Sequence, residues 1–119
     1  MTKHRIPHRG DVYLIKPNPQ SGREMRDLHR FVVITPKEIN KLGISITVPV
    51  TSGGAFSRAT GLTVSITGHE TTGVAVCNQV RSFDIEERVR MKTARYVETL
   101  DSRIIYDFVN RVISVIDPA

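Results

Sequence analysis

The 119-residue chain has no tryptophan, one cysteine and only seven aromatic residues, three Tyr and four Phe. The lone Cys77 excludes an internal disulfide and a Cys-based zinc site of the usual spacing. No apolar run approaches the roughly 18 residues that a membrane-spanning helix needs. The opening MTKHRIPHRG is basic, but no apolar stretch follows it, so a secretory signal is not expected. His4, His8, His29 and His69 are scattered, none with a Cys or carboxylate at ligand spacing, so neither metal nor cofactor is expected. A phosphate-cradling P-loop, a nucleophile elbow, internal repeats and linkers are likewise missing. The chain reads as a small cytoplasmic protein without membrane contact. Its length allows a single domain over 1–119, in which 1–9 form a basic N-terminal tail.

What is plentiful is arginine. Lys and Arg number 17 against 12 Asp and Glu, a net charge of +5, and twelve of the seventeen are Arg. A guanidinium forks onto phosphate in a bidentate way where an ammonium acts as a point charge. An anionic partner is therefore expected, nucleic acid being the commonest.

The chain is organised around Ile44–Gly54, ISITVPVTSGG. Ile44, Ile46, Val48 and Val50 alternate with Ser45, Thr47, Pro49 and Thr51, the pattern of a strand with one apolar face. Pro49 cannot donate to a ladder, so the strand is expected at an edge or bent there. It ends in Thr51 and Ser52, followed by Gly53-Gly54, whose backbone can approach a ligand closely. Two hydroxyls and a bare turn at the end of a rigid strand suit a phosphate, although a plain strand and turn would read the same way.

Ahead of it, DVYLIKP reads as a strand buried on both faces and FVVIT (31–35) as a central strand. Between them lies NPQSGREMRDLHR, a polar loop of thirteen residues from Asn18 to Arg30. Loops of that length are usually functional. Residues 36–42 fit one or two helical turns. Beyond the organising strand, 62–66 alternates as a half-buried strand, 67–73 is a turn, and Val74–Val80 is a buried strand running on towards Arg81 and Phe83. FDIEERV is a further helical turn, leading into a short strand over 92–96. The last segment is a helix capped by Asp101 or Ser102, its core stripe made of Ile105, Phe108, Val109, Val112, Ile113 and Ile116. Five to seven short strands and one packed C-terminal helix predict an α+β, mainly β fold, a small SH3-like barrel.

With the strands adjacent, Arg30 and Thr51 would face each other across a shallow groove. An arginine and a hydroxyl aimed at one phosphate are what phosphodiester cleavage needs when the 2′-OH of RNA is the nucleophile. Taken singly the same residues have blander uses. Arg30 can be a surface charge, Thr51 can cap a turn, and Glu24 can pair with Arg23 or Arg26. Gln79 and Arg81 can face solvent, and Cys77 suits a small buried hydrophobe.

In order and spacing, GDVYLI, SGRE followed by HRFVVITP, VPVTSGGAF and TTGVAVCNQVRSFD resemble the MazF/PemK toxins of bacterial toxin–antitoxin systems, closest to the PemK/Kid and ChpB-like branch. The resemblance runs from about Gly10 to the terminal helix. It implies a compact barrel and a homodimer that cleaves single-stranded RNA sequence-specifically, without metal, to a 2′,3′-cyclic phosphate and a 5′-hydroxyl. It also implies an acidic antitoxin protein in the same groove, with operator DNA reached only through that antitoxin. The family's catalytic Arg and Thr fall on Arg30 and Thr51, and its loop Glu on Glu24. Arg23, Ser52, Gly53, Phe56, Arg58, Asn78, Gln79 and Arg81 are the implied RNA-binding set. This chain departs from the branch at Arg23, where a His is usual, and at Val76-Cys77-Asn78, where Arg-Cys-Asp supplies the acid and base. Asn78 cannot accept a proton, which leaves the general base open and admits a second reading, a nucleic-acid-binding or regulatory module with weakened catalysis.

Overall fold

The computed structural model describes residues 5–17, 28–52 and 62–117. In chain order it has β1 (Asp11–Ile15), β2 (His29–Val33), α1 (Lys37–Asn40), β3 (Ser45–Thr51), β4 (Thr63–Ile66), β5 (Gly73–Val76), β6 (Arg81–Phe83), α2 (Ile85–Arg90), β7 (Ala94–Thr99) and α3 (Ser102–Ile116). The strands form one antiparallel sheet in the order β4-β5-β3-β2-β1-β7, with β6 also on β3. This is the expected mainly-β architecture with a C-terminal helix. Among the described residues no helix is long and apolar enough to cross a membrane.

The two-residue period of the strands explains why so little aromatic mass is enough. Val12 pairs with Val32 and Tyr13 with Phe31, so neighbouring residues feed opposite faces of the sheet. One face gathers Val12, Val32, Val48, Val50 and Ala75 under Ile105, Phe108 and Val112 of α3. The other gathers Tyr13, Ile15, Phe31, Val33, Phe83 and Ile85. Phe31 and Phe83 meet edge to face, ring centres 4.9 Å apart. Both sides of the central strands are thus dry, as the continuous apolar runs foretold.

The organising strand is interior, not an edge. Its first part, Ser45–Thr47, pairs with β6, and its last residues, Val50 and Thr51, pair with β5. Pro49 sits at the change of partner, where its missing N–H leaves no ladder bond broken. The apolar face expected along its length holds only from Val48 onward. Ile44 and Ile46 are exposed, while Ser45 and Thr47 are buried. Alternation shows which side chains share a face but not which face is covered. Here β6 covers the hydroxyl side, and Thr47 Oγ1 donates to the Arg81 carbonyl at 2.9 Å.

Other boundaries moved for similar reasons. His29 and Arg30, expected at the end of a loop, belong to β2, because their backbones pair with Ile15 and Leu14 of β1. The strand expected over Val74–Val80 breaks after Val76, and the Gln79 N–H closes a turn on the Val76 carbonyl at 3.1 Å. The strand expected to end at Tyr96 continues to Thr99 along β1. The α3 stripe leaves the core after Val112, with Ile113 and Ile116 exposed. Asp101 caps that helix, accepting the N–H of Arg103 at 2.8 Å.

Residues 5–9 are bonded to this framework. The fully buried Asp11 accepts both forks of Arg5, at 2.9 and 3.0 Å, the His8 N–H and the Thr99 hydroxyl. Arg9 Nε donates to the Ile34 carbonyl.

Candidate active site

The ends of β2 and β3 deliver most of the expected residues to one place. Arg30 pairs with Val50 across the two strands and with Leu14 on the other side. The pleat puts Arg30, Val50 and Leu14 on one face and His29, Phe31, Pro49 and Thr51 on the other. Arg30 and Thr51 therefore do not oppose each other as a ladder pair. They meet at the strand ends, where a cleft opens on either side of Thr51.

The first cleft, of about 400 Å³, is lined by Leu14, Leu28, His29, Arg30, Thr51 and Ser52, among others. Among the described residues Arg30 is its one arginine or lysine, its side chain about one-third exposed and its Nη2 3.7 Å from Glu70 Oε2. The Arg30 Nε is buried and has no hydrogen-bond partner among the described residues. An orphaned guanidinium donor costs roughly 1–3 kcal/mol. A phosphate oxygen is the kind of acceptor that would satisfy it.

The second cleft, of about 410 Å³, is floored by Phe31, Pro49 and Val80 and rimmed by Gln79 and Arg81. The Arg81 guanidinium lies 5.1 Å from the Phe83 ring centre, and that of Arg88 lies 4.8 Å from it. Burial, and then the charge of Arg81, hold the Arg88 pKa below its ordinary value. An apolar floor beside an exposed cation suits an unstacked base.

Gly73 fixes Thr51 between the clefts. Its φ of 135° lies in the region that favours glycine, and a Cβ there would collide with the Thr51 carbonyl oxygen. β5 thereby comes close enough to pair Val74 with Thr51. The neighbouring 67–72 turn, which carries Glu70 and Thr72, is tied to β7. Glu98 Oε2 accepts the Thr71 N–H at 2.5 Å, and Glu98 Oε1 lies 3.6 Å from His69. Burial alone would raise the Glu98 pKa, but hydrogen bonding by Thr71 and the nearness of His69 outweigh it and hold the carboxyl below its usual range.

Of the residues singled out in the sequence, Arg30, Thr51, Ser52, Gln79 and Arg81 line the two clefts. Asn78 is exposed in the turn after β5 and lines neither. Glu24, Arg23, Gly53, Phe56 and Arg58 lie outside the described residues. Cys77 is buried and its thiol is pushed up to about 11 by desolvation, far from the thiolate a nucleophile needs. His29 lines both clefts, whereas the sequence offered it only as one of four scattered histidines and as part of the charged 18–30 loop. Its signal was its place beside Arg30, at the mouth of a strand.

A family model described as the PemK-like, MazF-like toxin of type II toxin–antitoxin systems matches residues 8–116. The chain belongs to the PemK/MazF toxin family. It is 34% identical over 100 residues to endoribonuclease PemK of Escherichia coli, covering 82% of this chain and 75% of that one. It is 35% identical over 92 residues to endoribonuclease toxin ChpB of E. coli K12, covering 75% and 79%. The fold matches MazF of Deinococcus radiodurans at a TM-score of 0.73 and 21% identity, over 94% of this chain and 97% of the other. A mycobacterial endoribonuclease solved with its cognate antitoxin matches at 0.67 and 11% identity, over 93% of each. At those identities the solved structures speak for the fold alone, and the two E. coli toxins bear on the chemistry.

Proposed function

We propose that this PemK/MazF toxin is an endoribonuclease that cuts single-stranded RNA at a preferred sequence through attack by the 2′-hydroxyl. The observation that carries the reading is Arg30, held by a strand with a buried Nε that no described residue satisfies, beside the hydroxyls of Thr51 and Ser52. The scissile phosphate sits at the junction of the two clefts. Arg30 meets its non-bridging oxygens and Thr51 positions it. As the 2′ oxygen adds to phosphorus, charge gathers on those oxygens, and a fixed cation in a partly desolvated site stabilises it more than it does the ground state. The chemistry asks for no metal. The Arg81 cleft takes a flanking base. Glu24, Arg23, Gly53, Phe56 and Arg58 complete the set that the family pattern assigns.

Two partners follow from the same surface. An acidic antitoxin segment competes with RNA for the two arginines; the mycobacterial neighbour was solved in complex with its cognate antitoxin. A second copy of the chain deepens the groove across a two-fold axis. The test is incubation with a long single-stranded RNA in excess EDTA. Discrete cuts leaving 2′,3′-cyclic phosphate ends are expected. A gel shift without cuts would instead make the protein an RNA-binding module, and neither cuts nor shift would remove RNA from its function.

A further inference from the structure

Thr51 stands between the two clefts, and among the described residues only His29 and Val50 share that position, each lining both. Cleavage through the 2′-hydroxyl needs a group to take its proton. Among the described residues lining the Arg30 cleft, Leu14, Leu28 and Val50 carry no basic side-chain atom. The hydroxyls of Thr51, Ser52 and Thr72 are too weakly basic, and a guanidinium stays protonated. What remains is the imidazole of His29. We propose that His29 is the general base of this site, a role that rests on the RNA-cleavage reading above.

The fold places it suitably. His29 opens β2, its backbone held opposite Ile15, and its side chain is exposed at the sheet's end. The register that sets Arg30 opposite Val50, carried on by one residue, sets His29 opposite Thr51. Cross-strand neighbours on one face have Cβ atoms about 5 Å apart. Base and positioning hydroxyl thus stand side by side, and the next residue of β2 brings the cation round from the other face. The unprotonated ring nitrogen accepts the 2′-hydroxyl proton while the 2′ oxygen bonds to phosphorus and the bond from phosphorus to the 5′ oxygen breaks. The leaving 5′ oxygen takes a proton from water and the imidazolium gives one back to water, so protons balance.

Among the described residues, the charged groups around His29 are Arg30 on its own strand with Glu70 behind it, Arg81 across the second cleft, and Lys16 next to Ile15 on β1. Side chains of those types do not ordinarily titrate between pH 5 and 8, whereas imidazole does. His69, held on Glu98, is the other imidazole near this end of the sheet.

The experiment measures single-turnover cleavage of one RNA from pH 5 to 9 for the wild type, His29→Gln, His29→Ala, His69→Gln and Glu24→Gln. Binding of the same RNA with a 2′-deoxy sugar at the cut step is measured alongside. The wild-type rate should rise about tenfold per pH unit on the acid side before it levels off. His29→Gln should lose that limb and at least about 100-fold in rate, with binding of the deoxy analogue held within about threefold. Added imidazole should restore part of the rate to His29→Ala, and His69→Gln should keep the limb. The proposal is overturned if His29→Gln keeps the wild-type rate or the limb, if its binding falls as far as its rate, or if Glu24→Gln alone removes the limb. A wild type that cuts no RNA would overturn the cleavage reading itself, an outcome separate from failure of His29 in an active enzyme.

Discussion

The clefts on either side of Thr51 are nearly equal in size, about 400 and 410 Å³, and unlike in chemistry. In one the arginine is two-thirds covered, balanced by Glu70 and left with a buried donor that no described residue satisfies. In the other it is exposed at the rim, resting over the Phe83 ring above an apolar floor. The first arrangement fixes a charge and keeps water partly away, as stabilising a transition state requires. The second offers area and an adaptable cation, as recognising a base requires. On the proposed reading, one β2–β3 junction serves chemistry on one side and selection on the other, with Thr51 and His29 between them.

The sharpest way to break this division is Arg30→Ala. The cleavage rate should fall by two or more decades, matching the roughly 3–4 kcal/mol that such preorganised donors supply. Affinity for a 2′-deoxy analogue should fall far less. If rate and affinity drop together, Arg30 only holds RNA and the two clefts do the same work.

Gly73→Ala tests what separates them. The new methyl meets the Thr51 carbonyl, and the residue must hold a φ of 135°. Strain of that kind costs about 1–3 kcal/mol. A lower melting temperature is expected, together with a slower cleavage rate in the fraction that remains folded. An unchanged rate would mean that the position of Thr51 does not matter.

How legible all this was in the residues differs between the two sides. The Arg30 side was foreseen in kind, because a charged loop, a strand and a Thr-Ser-Gly-Gly end occur in order and the family pattern names Arg30 and Thr51. Its geometry was not. Polarity suggested that His29 and Arg30 close a loop, yet backbone pairing to β1 makes them strand residues, and that pairing sets which face each presents. The Arg81 side depended on a break after Val76 that no Pro or Gly marks between Val74 and Phe83. With the break unseen, Gln79 and Arg81 read as a continuation of one strand, and the cleft they rim over Phe31 and Pro49 could not be assembled. Thr47 and Ser45 show the same limit, since a period of two does not reveal which side a later strand such as β6 will cover.

Arg81→Ala should act on selection more than on chemistry. RNA affinity is expected to fall about tenfold, with the salt dependence shallower by roughly one counterion if the guanidinium meets a phosphate and nearly unchanged if it meets a base. The single-turnover rate at saturating RNA should stay within a few fold. Loss of saturated rate comparable to that of Arg30→Ala would erase the contrast.

The smallest effect belongs to Glu70, and its sign is informative. Its carboxylate, mostly exposed, lies 3.7 Å from the Arg30 guanidinium, where it competes with an incoming phosphate. Surface ion pairs of this kind are worth about 0–1 kcal/mol, and salt screens them. Glu70→Gln removes the competing charge while keeping the side chain's shape, so RNA should bind about two- to fivefold tighter at low salt. The gain should shrink as salt rises. The turn itself should stay in place, because Thr71 and His69 still hold it to Glu98. Acid should loosen that anchor. The Glu98 pKa is depressed in the folded chain, so its contribution is present above the ordinary carboxylate value and is lost as pH falls through the folded one. Titrating RNA binding near neutral pH isolates Glu70 from this second effect. Weaker binding by Glu70→Gln would show that the carboxylate orients Arg30 for the phosphate rather than occupying its place.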